Sequence, residues 1–486
     1  MSEISMSNLF RFPFTAVLSA LVLAGCAVGP QYQRPEVNTP TAFKEATLSP
    51  EAARQWQAAQ PKDALERGQW WRIFKDPVLD TLQEQAAEAN QDLKAAAARV
   101  RQARSLVRTA EADRLPDIDA GFGPNRQRTS AAAQGLSDDA PATTQTLWRA
   151  QMGAAYEVDL FGRVEAGIDA ATADAQRSAA LYESVKLALQ ADVAQTYFNL
   201  RRLDAELELY RRTVTLRRET LALVQQRYEA GDIDELDVAR SRSALSAAES
   251  QELAIERQRS LNEHALATLL GTTPSAFSLA AQPLERMPVG IPAGLPSSLL
   301  ERRPDIAAAE RAMAAANARV GVARAAFFPR LTLTGALGYE SSELGNLLQW
   351  SSRTFLLGPL IGTALTLPIF DGGRRTADVE RARARYEEDV AQYRQTVLRA
   401  FREVEDGLAS LRILGEQTEV QDAAVSQASR AAELSHIQYR EGSVSYLDVL
   451  DADREVLLQR RVSVQLDGER AHAAVALVRA LGGGWE

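Results

Sequence analysis

The sequence is poor in the residues that do chemistry. It has one cysteine, Cys26, and three histidines, His264, His436 and His472, in 486 residues. A lone cysteine excludes an intrachain disulfide and a thiolate metal site, and no histidine has a partner at ligand spacing. No glycine-rich loop stands between a strand and a helix in the phosphate-cradling pattern, and Gly372-Gly373 fits a strand-to-helix turn instead. Once Met1 and Met6 leave with an N-terminal signal, Met152, Met287 and Met313 are too scattered to bind a soft metal. The expectation is a protein that is not an enzyme and carries no cofactor. Basic charge is not in excess either. With 55 Lys and Arg against 64 Asp and Glu, interspersed, the net charge of -9 leaves no basic face for nucleic acid. Proline is missing from 163–273 and again from 369–486. Such stretches exclude frequent turns and permit very long helices.

Of apolar runs, Phe14 to Gly25 stands out, a stretch too short to span a bilayer. It fits the core of a secretory signal, with Glu3 opposing Arg11 ahead of it; a start at Met6 would repair that charge balance. Its end, Leu23-Ala24-Gly25-Cys26, resembles a bacterial lipobox. The resemblance implies cleavage before Cys26 and acyl chains such as palmitate on its thiol and new amino group, each buried methylene contributing about 0.8 kcal/mol of anchoring. Ala27 in the next position implies sorting to the outer membrane. The expected divisions are a signal peptide at 1–25 and a lipidated extended tether at 26–75. Two repeats follow, at 76–290 and 291–486.

The repeat is read from its hairpin tips. QYREGSVSYLDVLDADREV contains Tyr439, Gly442, Leu447, Asp448, Val449 and Asp451; RYEAGDIDELDVARSRSAL places Tyr228, Gly231, Leu236, Asp237 and Val238 211 residues earlier. In each, a helical pattern runs into Tyr, breaks at Gly and restarts on acidic residues that suit a helix N-terminus. The tips are expected at 228–237 and 439–451.

Between tether and tips the periodicity changes twice. Trp70-Trp71-x-x-Phe74-x-Asp76-Pro77 is aromatic enough to dock on a surface, and Leu79 to Arg114 has helical spacing up to Pro116. Trp148 to Leu160 alternates instead: Trp148, Ala150, Met152, Ala154, Tyr156, Val158 and Leu160 against polar or small residues. Leu331, Leu333, Leu337 and Tyr339 repeat the pattern. Strands are expected at about 117–123, 148–160, 330–340 and 357–369, two per repeat. They fit a membrane barrel with a wet lumen, a half-buried sheet of a soluble protein being the competing reading. Four strands close no barrel, and an open edge cannot face lipid. Three chains sharing twelve strands would solve both problems, with a lumen too wide for side chains to fill.

Arg163 to Tyr228 is 66 residues, a helix of about 100 Å at 1.5 Å per residue. Asp234 to Leu270 and Asp305 to about Phe327, joined by a proline-marked connection, nearly match it end to end, and Tyr446 to Leu481 is expected to stack similarly under Leu79 to Arg114. Ala, Ser and Gly at packing positions allow close helix approach but make weak seams. Asp448 and Asp451 lie three apart on one helical face. Brought together from three chains they would ring an axis, repel one another and favour cations; charge complementing a helix N-terminus is the alternative role.

These residues resemble the outer-membrane efflux channels of the TolC-like, NodT/OprM type. The blocks that carry it are Cys26-Ala27-Val28-Gly29-Pro30-x-Tyr32-x-x-Pro35, the Trp70-Trp71 motif through Leu79, Asn90-x-Asp92-Leu93, Glu301-Arg302-Arg303-Pro304-Asp305-Ile306-x-x-Ala309-Glu310, and Ala325-Ala326-Phe327-Phe328-Pro329-x-Leu331. The resemblance implies an α+β membrane protein, a homotrimer whose shared 12-stranded β-barrel continues into a long periplasmic α-helical coiled-coil barrel. It implies a passive exit duct for drugs or other toxic compounds, working with a periplasmic adaptor and an inner-membrane pump of the resistance-nodulation-division class. The family's gate maps onto Leu447, Asp448 and Asp451, with Tyr439 bonding toward Asp237. Some members carry Arg where this chain has Val444. A channel for type I protein secretion is the rival within the class, and a structural coiled-coil lipoprotein or adaptor, lacking the strands, the rival outside it.

Overall fold

The computed structural model describes residues 28–37, 39–40, 42–45, 68–130, 132, 135, 137, 143–286, 302–357 and 365–483. Cys26 and the signal segment lie outside the described residues, as do 46–67, 287–301 and 358–364. The described elements in order are α1 (Pro77–Ala89), α2 (Gln91–Ala112), β1 (Asp117–Thr129), β2 (Thr143–Val158), α3 (Arg163–Glu229), α4 (Glu235–Leu269), α5 (Pro304–Ala325), β3 (Arg330–Ser341), β4 (Arg353–Leu357), β5 (Leu365–Thr366), α6 (Arg374–Arg440) and α7 (Tyr446–Ala480). The duplication is kept to the residue. α3 and α6 each have 67 residues, α4 and α7 each 35, and every boundary of one pair maps onto the other at the same offset.

Contacts divide the chain into two compact units, the first formed by Met1–Pro35, Val100–Ser178 and Ala309–Tyr393, the second by the remainder. In the first, one antiparallel sheet has the order β1-β2-β3-β4, with β5 also on β3. Alternation segregates its faces. Ala120, Met152, Leu337 and Phe355 form one row across four strands, and Asp119, Gly153, Ala336 and Leu356 form the next row on the opposite face. Met152, Leu337 and Phe355 are 51%, 58% and 75% exposed. So broad an apolar band without a protein covering suits lipid rather than water. No described helix is long and apolar enough to cross a membrane.

Strand limits differ from the sequence expectation. β1 runs to Thr129, past Gly123, and β2 starts at Thr143, because thirteen consecutive pairs from Asp117↔Ala155 to Thr129↔Thr143 let backbone hydrogen bonds carry a polar stretch that has no apolar alternation of its own. The fourth strand, expected over 357–369, is β4 and β5. β4 pairs Gly335↔Leu357 and β5 pairs Leu331↔Leu365, so the register along β3 shifts across a stretch whose sequence includes Gly358-Pro359, poor strand residues. The tether also docks in this unit: Asn317 donates to the Pro30 carbonyl at 2.8 Å, and Tyr32 donates to Glu310 at 2.6 Å.

The core of the second unit takes the adjacent Trp70 and Trp71. Trp70 and Trp71 are buried with Leu79, Leu82, Leu93, Tyr197, Phe198, Leu266 and Val475. Trp70 donates its indole N–H to Gln190 at 3.0 Å. Asp76 caps α1 by accepting from Val78 N–H and takes a 2.5 Å bond from the Tyr197 hydroxyl. The single helix expected over 79–114 is broken at Asn90, whose ψ of 130° is extended. Asn90 accepts from Leu93 N–H at 2.9 Å and donates to the Leu269 carbonyl at 2.9 Å, so a tertiary bond competes with helix continuation. Phe43 of the tether is buried against Val404, Leu477 and Leu481.

Candidate functional site: the paired hairpin tips

Both tips are built by the same local device. At the end of α3, Gly231 N–H bonds to Tyr228 O and Asp232 N–H to Arg227 O; at the end of α6, Gly442 N–H bonds to Tyr439 O and Ser443 N–H to Gln438 O. This is the Schellman pattern, which needs a left-handed residue at the glycine. Gly231 and Gly442 have φ of 81° and 77°. Three residues later Asp234 and Ser445 stand as the N-caps of α4 and α7.

The two restarts differ in their electrostatics. Ser445 donates its backbone N–H and its hydroxyl to Asp448, closing the α7 N-terminus. The Ser445 hydroxyl and N–H together hold the Asp448 carboxyl below the usual carboxylate range. Crowding of like charge would raise it; within the chain the capping bonds act in the opposite direction. Asp451 is exposed and pairs with Arg454 at 3.3 Å. Leu447 is 38% exposed. In the first tip Asp237 pairs with Arg240 at 3.6 Å, the residue that occupies the position equivalent to Asp451.

Tyr439 corrects one expectation. Its hydroxyl does not bond to Asp237; the oxygen is buried and has no hydrogen-bond partner among the described residues. The ring is instead turned into an apolar cluster of Val224, Val238 and Tyr446, with Leu221 and Ile233 at its edge. The Arg227 guanidinium lies 4.9 Å from its centroid, and the Tyr446 ring 5.8 Å away. Residues of both hairpins therefore meet through Tyr439 and Tyr446, by packing and cation–π attraction rather than by a hydroxyl–carboxylate bond. Burial pushes the Tyr446 phenol up, and Ser241 bonds to it. The ordinary repeat signals marked Val238 but gave no role to Arg227, Ser445, Tyr446 or Val224. Of these, the Ser445-x-x-Asp448 spacing is a visible capping signature; the partners of Tyr439 come from another hairpin and leave no local trace.

Just behind the second tip, His436 Nε2 and Asp453 Oδ1 are 2.9 Å apart and join α6 to α7. The described residues contain no cluster of three metal-ligating side chains.

Comparison with known proteins places this architecture. The family profile described as outer membrane efflux protein matches the chain twice, over residues 82–272 and 295–483. The solvent efflux pump outer membrane protein SrpC of Pseudomonas putida is 36% identical over 478 residues, covering 98% of this chain and 99% of its own length. The cation efflux system protein CusC of Escherichia coli is 32% identical over 476 residues, covering 96% and 97%. The crystal structure of the Campylobacter jejuni CmeC outer membrane channel superposes with a TM-score of 0.85 at 25% identity, over 95% of this chain and 96% of that one. Matched along nearly its whole length, with an exposed apolar sheet and two long hairpins per chain, this protein belongs to the outer membrane efflux protein family and is a transport channel of the outer membrane.

Proposed function

We propose that three copies of this chain form the exit duct of a tripartite efflux system, each lending four strand positions to a twelve-stranded barrel. One observation carries the reading: the apolar row Ala120, Met152, Leu337 and Phe355 is backed by a row of Asp119, Gly153, Ala336 and Leu356, in a sheet whose β1 and β4 edges are unpaired among the described residues. Unpaired backbone cannot be left in lipid, and closure against further copies satisfies it. The second face is mostly small or polar, which suits a wet lumen.

The duct is passive. Its energy comes from an inner-membrane pump, of the resistance-nodulation-division class, coupled through a periplasmic adaptor, and the tips at 228–237 and 439–451 form its periplasmic closure. Leu447, Asp448 and Asp451 line that closure and Tyr439 latches it from within the chain. Acyl chains on Cys26 hold the tether at the membrane. The names of the relatives, one for solvents and one for cations, support a duct whose cargo is chosen by the pump. Planar-bilayer recording of the purified protein, with crosslinking to count chains, tests the reading. Discrete conductance from a heat-modifiable trimer is expected; a monomer, or a trimer without conductance, would overturn it.

A further inference from the structure

A single arginine fastens the second hairpin to the segment that leaves the first repeat. Arg286 donates through Nη1 and Nη2 to Asp422 of α6 at 2.6 and 3.0 Å, and through Nε to Asp467 of α7 at 2.9 Å. One guanidinium thus spans both helices of the hairpin. Its fork geometry allows this where a lysine's point charge does not. Arg286 also holds the Asp422 carboxyl below its ordinary range.

The other end of this connection is stitched to the first hairpin. Leu279 N–H bonds to Glu263 at 2.7 Å, and Arg259 donates to Leu279 O at 2.7 Å. Arg201 donates to Ala280 O at 2.7 Å, Gln282 N–H meets Asp204 at 2.9 Å, and Leu284 N–H meets Arg201 O at 3.0 Å. Asp204 is buried and paired with Arg259 at 2.6 Å, so this anchorage is firm. The sequence 279–286 is therefore a belt fixed to α3 and α4 and buckled by Arg286 to α6 and α7.

We propose that Arg286 is a positioning residue for closure, a clasp that holds the second hairpin of each chain against the first and must release for the tip to open. The clasp rests on the duct reading above. Asp422 is 17 residues from Tyr439 along unbroken α6, and Asp467 is 16 residues from Asp451 along α7. At 1.5 Å per residue the clasp stands about 25 Å from the tip, which makes the hairpin a lever. Without Arg286, Asp422 and Asp467 keep like charge on facing helices with only the more distant Arg470 acting on Asp422, and the attraction that bridged them is lost. The device is one-sided. Positions equivalent to Asp422 and Asp467 in the first repeat are Arg211 and Glu256, so the first hairpin does not present the same pair of carboxylates.

The full-length protein, purified as its assembly, is recorded in planar bilayers as wild type, Arg286→Ala, Arg286→Lys and the exchange Arg286→Asp with Asp422→Arg and Asp467→Arg. Arg286→Ala is expected to raise open-state occupancy several-fold, Arg286→Lys to raise it less, and the exchange to return it toward wild type. Because exposed ion pairs contribute little to stability, the melting midpoint is expected to stay put, which separates a clasp from a general structural role. Should Arg286→Ala not fold, Asp422→Asn is recorded in its place and is expected to raise occupancy. Conducting wild type with unchanged occupancy in the Arg286 or Asp422 variants overturns the clasp alone, as does a rise that the exchange fails to reverse. A wild type that never conducts overturns the duct reading and the clasp with it.

Discussion

Ser445 gives both of its donors to one carboxylate: its N–H and its hydroxyl meet Oδ2 of Asp448 at 2.9 and 2.6 Å. The second tip therefore restarts on a closed capping bond. The first restarts on Asp234, whose side chain makes no such bond.

This asymmetry has a pH signature. The Asp448 carboxyl is held low by Ser445. A carboxyl whose folded value lies below its unfolded value, ordinarily about 3.9, stabilises fully above that value, and the contribution is lost as pH falls through the folded one. Hydrogen exchange of 443–452 is expected to be flat from neutral pH down to about 4 and to quicken below it, relative to 232–241. Asp448→Asn should exchange quickly throughout and lose the pH dependence. Equal acid response of both tips would contradict this.

The Tyr439 latch is apolar. Its hydroxyl is buried without a partner among the described residues, so Tyr439→Phe removes an unsatisfied group and should leave the tip as tight as before or tighter. Tyr439→Ala removes the ring that packs on Val224, Val238 and Tyr446 and should raise uptake of a large antibiotic such as vancomycin. Arg227→Ala, which forfeits a cation–π contact of about 0.5–1 kcal/mol, should shift opening by about two- to five-fold. Uptake that rises with Tyr439→Phe would restore a hydroxyl bond to the gate.

Asp204 is a buried charge at the root of the second unit's belt. It is buried and faces Arg259 at 2.6 Å and Arg201 at 3.4 Å. Asp204→Ala leaves the buried Arg201 without its carboxylate and Arg259 with Glu263 alone, a change expected to cost about 3 kcal/mol. Thermal unfolding in detergent should show a clearly lowered midpoint, while Arg218→Ala, which breaks the exposed pair with Glu249, should barely move it.

Gly338 is a test of the sheet. A Cβ there would run into the Ala150 carbonyl oxygen and stand 2.6 Å from Gln151 Cα. Both are backbone atoms of the paired strand and cannot swing away. Gly338→Val should block β2–β3 pairing and leave little heat-modifiable assembly in the membrane fraction, whereas Gly121→Ala, with open space at its Cβ, should assemble normally.

Much of this was legible without coordinates, because it is local or periodic. The offset of 211 residues, the glycines at Gly231 and Gly442, the proline-free stretches and the alternation in β2 and β3 are written in single segments of chain. The parts that were not legible depend on partners far away. Asn90 breaks a helix because the Leu269 carbonyl is within reach. β1 runs on to Thr129 because Thr143 pairs with it.

The tip shows the same division. The sequence by itself determined where each hairpin turns, since a left-handed glycine and a following acidic helix start are chosen within a few residues. It also determined that the second tip carries Asp448 and Asp451 while the first has Asp237 and Arg240. Only the tertiary structure decided how the two hairpins meet. It turned Tyr439 inward onto Val224 and Tyr446 and away from Asp237, and brought Arg286 across 136 and 181 residues of chain to Asp422 and Asp467. The physical reason is that hydrophobic burial and ion pairing act at distances of a few ångströms in space, whatever the separation in sequence.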